Sequence, residues 1–168
     1  MEDLGIIPDC SHLSDGGFYD LIKILKKPFM ATHSNARAVT DHPRNLTDDM
    51  IKALANKGGV MGMNFCAPFM GKSKVTTIDS MVRHIEHIRN VGGIDVLAIG
   101  SDFDGIGNKV EIEDIGEMDK LRETLTKYFS FLPINLYFID LEEEEKKAAE
   151  ADKKEGNKEK TASKDSFT

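Results

Sequence analysis

The sequence lacks several features that mark broad classes of protein. It has no tryptophan, and aromatic residues make up only 7% of its 168 residues. No run approaches the roughly 18–20 apolar residues that a helix needs to cross a bilayer, and the longest apolar stretch, 128–139, is interrupted by Pro133. Because 40% of the residues are hydrophobic and 30% charged, the composition nevertheless suits a packed core. We therefore predict a globular chain without a transmembrane segment.

The chain also lacks an excess of positive charge. Its 22 basic and 29 acidic residues give a net charge of −7 and a pI near 5.2, which argues against nucleic acid or an anionic membrane as a partner. The N-terminal residues show no basic patch followed by an apolar core, so a secretory signal is not expected. Two cysteines, Cys10 and Cys66, are too few for a disulfide framework and are expected to be reduced, half-buried thiols. These features predict a cytoplasmic location.

The last 27 residues differ in composition from the rest. Residues 142–168 hold nine acidic residues and seven lysines, with Phe167 as their one aromatic. Such a segment cannot bury enough apolar surface to offset its chain entropy. We therefore predict a folded domain over 1–141 and a solvated tail, disordered or a single helix, over 142–168.

An alternating pattern runs through the predicted domain. Four short apolar runs, 5–10, 28–32, 58–65 and 95–101, are each followed by a stretch with helical periodicity. The second helical stretch has Thr47 as its expected cap and stops at Gly58. The third runs from about Thr77 to Gly92, and a weaker fourth lies near 118–125. The pattern predicts an α/β fold with a parallel sheet and right-handed crossovers.

Two architectures fit four βα units: a small open doubly wound sheet, or part of a (β/α)8 barrel. A complete barrel takes roughly 250 residues, so this chain corresponds to about half of one. The sequence begins almost directly on a predicted strand. We therefore expect four βα units that resemble the C-terminal half of such a barrel.

Polar residues cluster where the predicted strands end. His12 ends the first apolar run, His33 the second and Asp102 the fourth. Catalytic groups and metal ligands project from the carboxyl ends of parallel strands, and imidazole and carboxylate are ligands of catalytic zinc. Any one of the three could instead cap a helix or bond the backbone. Their shared location predicts a metal or hydrolytic centre.

Three other positions have weaker signals. His84 and His87 lie among charged residues of the third helix, and we expect them to be solvated. Arg44, in the polar loop after the second strand, could bind a carboxylate through two parallel hydrogen bonds. A surface or helix-capping arginine is the alternative.

Five stretches of the sequence form a distinctive pattern in their order and spacing. They are Asp9-Cys10-Ser11-His12-Leu13-Ser14, Thr32-His33-Ser34-Asn35-Ala36-Arg37, Pro43-Arg44-Asn45-Leu46-Thr47-Asp48, Gly58-Gly59-Val60-Met61-Gly62 and Gly100-Ser101-Asp102-Phe103-Asp104-Gly105. Together they resemble the zinc-dependent membrane (renal-type) dipeptidases and their bacterial relatives, over about residues 3–121. Thr32 stands where the family usually has serine.

The resemblance implies a fold, a reaction and a set of roles. The fold would be a (β/α)8 barrel with two zinc ions at its C-terminal face, where dipeptides are hydrolysed to amino acids. His12 and His33 would bind one zinc, and Arg44 would hold the dipeptide carboxylate. Asp102 would contact the substrate amino group and transfer protons as the catalytic acid and base.

Other parts of the family pattern are not found in this sequence. The second zinc of the family is held by a His-x-Asp pair and a bridging glutamate on strands that would precede Met1. The closing Asn-x-x-Arg segment is reduced to Asn135-Leu136-Tyr137-Phe138. The expectation is thus half a site, completed by self-association or by a partner half at open sheet edges. The alternatives are a non-catalytic truncated fragment and a module that binds a metal or small ligand.

Overall fold

A three-stranded parallel sheet forms the centre of the fold. The computed structural model describes residues 1–129. In it β1 (Met30–Ala31), β2 (Val60–Met63) and β4 (Leu97–Ile99) lie in the order β1-β2-β4. Met30 pairs with Val60, and Met61 pairs with Leu97. The parallel sheet predicted from the second, third and fourth apolar runs is therefore confirmed.

The first apolar run does not form a strand, so the expectation of four equivalent units is not met in full. It contributes one isolated parallel bridge between Asp9 and Met30. The Pro8 carbonyl accepts from the Met30 amide, and the Cys10 amide donates to the Met30 carbonyl. Proline has no amide hydrogen to extend such a ladder, and the preceding Ile6 and Ile7 side chains are exposed.

Helices follow the strands much as the periodicity predicts. Thr47 Oγ1 accepts from the Met50 amide at the start of α2, and the chain leaves that helix through the left-handed Gly58. A capping box of Thr77 and Ser80 starts α4. The helices are α1 (Asp15–Ile24), α2 (Asp48–Asn56), α3 (Ala67–Met70), α4 (Ile78–Gly92) and α5 (Met118–Tyr128).

One short helix and a second sheet were not predicted from the sequence. The short helix α3 follows β2, and β3 (Val75–Thr76) pairs in parallel with β5 (Lys109–Val110) as a second, two-stranded sheet. Both belong to the segments that connect the main strands to the next helices.

The core lies between the central sheet and its helices. Its buried apolar residues are Cys10, Phe18, Leu25, Phe29, Ala31, Ala36, Leu46, Met50, Ile51, Leu54, Met61, Ile88 and Val96. Cys10 is thus a buried core thiol rather than the half-buried one predicted, whereas Cys66 is half-buried as expected; both thiols are free.

Near the carboxyl ends of the strands, the Thr32 backbone packs closely against two glycines, Gly62 and Gly100. A Cβ atom added to Gly62 or Gly100 would lie 2.1 Å or 1.7 Å from the Thr32 carbonyl oxygen. Only glycine fits at either position. The carboxyl ends of β1, β2 and β4 therefore lie unusually close to one another.

The prediction that His84 is solvated is wrong. Its side chain is fully buried, and its Nδ1 lies 3.2 Å from the Ala36 amide. The reason is that His84 shares the inward face of α4 with Met81 and Ile88, three and four residues away. His87 is partly exposed and lies 2.7 Å from an Asp48 oxygen.

Residues 130–168 lie outside the described part of the chain. The predicted tail at 142–168, the end of the predicted domain at 141 and the Asn135–Phe138 segment all fall there. Among the described residues, no helix is long and apolar enough to cross a membrane.

Candidate metal and substrate site

The structure brings His12 and His33 together. His12 follows the bridge at Asp9, and His33 lies two residues beyond the end of β1, so both project at the carboxyl end of the sheet. Their Nε2 atoms lie 2.9 Å apart, with the ring centroids separated by 4.9 Å. Histidine nitrogens at 2.0–2.1 Å from one tetrahedral zinc are about 3.3 Å apart. The two nitrogens are thus about 0.4 Å closer than two ligands of one zinc would be, and a small rotation of either ring would bring them to that spacing.

The fit is limited to two ligands within residues 1–129. No group of three or more histidine, cysteine, aspartate or glutamate side chains in that range is arranged to hold a metal. Catalytic zinc commonly has three protein ligands. Within residues 1–129 the candidate site therefore has two possible metal ligands, His12 and His33.

A polar network, partly exposed to solvent, supports the two histidines. Asp9 Oδ1 accepts from the Ser11 amide at 3.0 Å, the Ser11 hydroxyl at 2.8 Å and the Thr32 amide at 3.0 Å. Its Oδ2 accepts from the Thr32 hydroxyl at 2.5 Å. Burial by itself would raise the pKa of the Asp9 carboxyl, but these hydrogen bonds hold it below its usual value. Asp9 is therefore an anchor that joins the residues before His12 to those before His33.

Arg44 is held beside the same network with one nitrogen unused. Its Nε donates to the Ser11 carbonyl at 3.0 Å, and its guanidinium carbon lies 5.3 Å from the centre of the Phe69 ring. Its Nη2 is buried and has no hydrogen-bond partner. A buried guanidinium nitrogen without a partner is costly, and an anionic ligand would satisfy it. Arg89 on α4 also has a buried nitrogen without a partner, Nη1, so it is the position of Arg44 beside the Ser11 carbonyl, in the network that supports the two histidines, that favours ligand binding there.

Asp102 occupies a strained position after β4. Its φ of 61° makes it the one residue other than glycine with a positive φ among the described residues, a conformation that aspartate tolerates better than most. Asn64 Nδ2 donates to its Oδ2 at 3.0 Å. Backbone strain of this kind collects at functional sites. Within residues 1–129, Asp102 is not hydrogen-bonded to either histidine.

The half-buried Cys66 lies near both Arg44 and Asp102. Burial raises the pKa of its thiol, the Asp102 charge raises it further, and the Arg44 charge opposes the shift. Two opposite charges therefore act on one thiol. A ligand with separated positive and negative ends would match that arrangement of charge.

Sequence reasoning did not assign a role to Asn64. The residue is fully buried; its backbone amide and carbonyl bond the Asn35 side chain, while its own side chain orients Asp102. Asn64 directly follows β2. His12, His33 and Asp102 were selected as polar side chains at the carboxyl ends of predicted strands. The same rule, applied where β2 ends at Met63, would have found Asn64.

The comparisons with known proteins agree on one family. The sequence model of the membrane dipeptidase family, peptidase family M19, matches residues 1–130. An uncharacterized dipeptidase of Schizosaccharomyces pombe is 38% identical over 124 residues, which cover 72% of this chain and 30% of that protein. A Klebsiella pneumoniae protein from the pqqA 5' region is 40% identical over 121 residues, covering 70% and 45%. The chain spans less than half the length of these relatives.

Solved structures give the same result. A Rhodobacter sphaeroides metallopeptidase, crystallised with a phosphinate mimic of the dipeptide L-Ala-D-Ala, aligns with a TM-score of 0.70 and 34% identity. The alignment covers 75% of this chain and 37% of that one. An amidohydrolase from Pseudomonas aeruginosa aligns with the same TM-score and 31% identity, over 76% and 47%.

Proposed function

Because the chain belongs to the membrane dipeptidase family, peptidase family M19, we propose that its strand-end face takes part in the zinc-dependent hydrolysis of dipeptides. The observation that carries the proposal is the 2.9 Å approach of His12 Nε2 and His33 Nε2. Two imidazole nitrogens pointing at each other across a partly exposed face are arranged to share a metal ion. The remaining ligands would come from outside residues 1–129 or from a second chain.

The two histidines would supply neutral ring nitrogens as ligands. Held by these two rings, a zinc ion would supply Lewis-acid chemistry that activates water and polarises the peptide carbonyl. The protein's part is to hold both rings in place, and the Asp9 network does so through Ser11 and Thr32. His33 is further fixed by its amide, which donates to the Ser11 hydroxyl at 2.9 Å.

Arg44 would bind the carboxylate end of the dipeptide. Its unpaired Nη2 offers a buried donor, and the Ser11 carbonyl together with the Phe69 ring fixes the plane of the guanidinium. Charge-assisted hydrogen bonds from arginine to a carboxylate are stronger and more directional than those between neutral groups.

Asp102 would bind the substrate amino group and move a proton during hydrolysis. The hydrogen bond from Asn64 fixes one of its two oxygens, which leaves the other to accept from an ammonium group or a water. Proton transfer requires such a group within hydrogen-bond reach of the reacting atoms.

The second candidate is a metal-binding or ligand-binding module without turnover. It is favoured by the two-histidine ligand set within the described residues, which is smaller than that of most catalytic zinc sites. The two candidates share the metal and differ only in hydrolysis.

Zinc content of the dialysed, purified chain tests what the two candidates share. We expect stoichiometric zinc in the wild-type chain and its loss in His12→Ala and in His33→Ala. His87→Ala, a histidine on α4, is the matched control and should retain zinc. If the His33→Ala chain kept its zinc, the ligand assignment would be wrong.

Hydrolysis of a small dipeptide panel then separates the two candidates. Zinc-dependent turnover that disappears in Asp102→Asn, with zinc content unchanged, supports the dipeptidase. Bound zinc without turnover in a folded preparation supports the binding module. Turnover that survives Asp102→Asn would remove Asp102 from its proposed role.

A further inference from the structure

The Thr32 hydroxyl lies between two groups that compete for its single hydrogen. On one side Asp9 Oδ2 is 2.5 Å away, and on the other His33 Nδ1 is 2.7 Å away. An ionised carboxylate can only accept hydrogen bonds. The hydroxyl therefore donates to Asp9, and the short contact with His33 is satisfied only if the ring nitrogen carries the proton and donates to Thr32.

The neighbouring Ser11 hydroxyl does not provide another arrangement. Its own hydrogen goes to Asp9 Oδ1 at 2.8 Å, and its oxygen accepts from the His33 amide at 2.9 Å. Its contact with Thr32 Oγ1 is longer, at 3.3 Å. Asp9 thus orients both hydroxyl groups that touch His33.

We propose that Asp9, acting through the Thr32 hydroxyl, fixes His33 as the Nδ1–H tautomer, so that Nε2 presents a lone pair next to His12. Asp9 is then a positioning residue: it touches neither substrate nor metal and determines which ring nitrogen can act as a ligand. The contact between His12 and His33 agrees with this assignment, because an unprotonated His33 Nε2 accepts from His12 Nε2–H. The tautomer itself does not depend on the proposed function, whereas its use for metal binding does.

His84 provides an internal reference of the opposite kind. The Ala36 amide donates to its Nδ1 at 3.2 Å, so its proton must lie on Nε2, which is 3.3 Å from the Met70 carbonyl. The same chain therefore contains one histidine expected as Nδ1–H and one expected as Nε2–H. Both can be observed in a single sample.

The direct test is the pattern of two-bond 1H–15N couplings of the histidine rings in the metal-free, 15N-labelled 168-residue chain. Spectra are recorded at about pH 8, above the usual histidine pKa, and His33 is assigned by comparison with a His33→Gln chain. We expect the Nδ1–H pattern for His33 and the Nε2–H pattern for His84. An Nε2–H pattern, or an equal mixture, for His33 would overturn the proposal.

Three variants test the role of Asp9 and Thr32. Thr32→Ser keeps the hydroxyl and should preserve the Nδ1–H form, whereas Thr32→Val removes the acceptor and should give a mixture. In the wild-type chain, Asp9 Oδ1 accepts hydrogen bonds from the Ser11 and Thr32 backbone amides. In Asp9→Asn the side-chain oxygen must keep these two bonds, which places the NH2 group against the Thr32 hydroxyl. The hydroxyl then turns toward His33, and the expected result is the Nε2–H form. Retention of pure Nδ1–H in both Thr32→Val and Asp9→Asn would refute the relay.

Zinc affinity is the second readout. Loss of a hydrogen-bond partner of a metal-ligating histidine typically weakens metal binding by about 10–100-fold, and we expect such a loss in Asp9→Asn but not in Thr32→Ser. If His33 is Nδ1–H and the wild-type chain binds no zinc, the proposed function fails and the tautomer assignment stands. If zinc binds but metal-free His33 is Nε2–H, the assignment fails alone.

Discussion

Histidines of this chain occur in two opposite kinds of surroundings, and so do its arginines. His84 is fully buried and has both ring nitrogens bonded to backbone groups, whereas His12 and His33 lie on an accessible face with their Nε2 atoms 2.9 Å apart. Arg37 uses all three of its nitrogens on Asp15 and on backbone carbonyls, whereas Arg44 leaves a buried Nη2 without a partner.

Under the proposed function, the difference separates residues that stabilise the fold from residues that would bind a ligand. Completely satisfied polar groups add rigidity, and their removal leaves buried partners unpaired. Incompletely satisfied groups cost stability in the free protein and recover that cost when something binds. Residue type alone does not distinguish the two cases; the hydrogen-bond partners, taken together with position at the strand-end face, do, since Arg89 on α4 also has an unpaired buried nitrogen.

The largest expected difference in the free energy of unfolding is between alanine substitutions of a buried and an exposed histidine. His84→Ala opens a cavity and leaves the Ala36 amide without its acceptor, so the free energy of unfolding should fall by about 3 kcal/mol. His12→Ala, at an exposed position, should change it by less than about 0.5 kcal/mol. Urea unfolding measures both. Equal losses in the two variants would erase the distinction.

An effect of similar or slightly smaller size is expected from pH. Burial lowers the pKa of His84 from 6.5 to about 4. As the pH drops below 6.5, the unfolded chain therefore binds a proton at His84 while the folded chain does not. The free energy of unfolding should therefore decrease between pH 6.5 and 4, by about 3 kcal/mol in total, and this contribution should be constant above pH 6.5. In His84→Gln the decrease should be much shallower over that range. A slope as steep as in the wild-type chain would assign the effect to other groups.

The smallest expected effects distinguish the two arginines. Arg37→Met removes a bidentate pair with Asp15, whose pKa Arg37 keeps below its usual value, and should lower the free energy of unfolding by about 2 kcal/mol. Arg44→Met also removes an unsatisfied buried donor, so its cost should be below about 1 kcal/mol. Thermal or urea unfolding of the two variants side by side measures the difference. A larger loss for Arg44→Met would mean that Arg44 serves the fold.

Much of the fold could be predicted because it depends on local patterns. Thr47 as a cap, Gly58 as a stop and the periodicity of α4 were each visible in the sequence and are confirmed. The first apolar run failed as a strand because strand formation depends on neighbours that the local sequence does not reveal. The short strands β3 and β5 are too brief to have a period, and the sequence gives no sign of their pairing.

The candidate site shows the same division. The rule about strand ends located His12, His33 and Asp102, since it needs only the order of the elements. It could not show that Asp9 bonds Thr32, because that contact joins residues 23 positions apart. The burial of His84 was missed because the charged neighbours Arg83 and Glu86 masked its place on the inward face of α4.

The close approach at Gly62 and Gly100 limits how this face can evolve. Even a methyl group at either position would collide with the Thr32 carbonyl oxygen. No substitution of Gly62 or Gly100 can therefore change the backbone next to His33 without moving a strand. Variation in ligand preference is then expected in the loop that carries Arg44 and in the short helix α3 that carries Phe69. Laboratory selection for altered preference should therefore find its solutions in those two segments and leave both glycines unchanged.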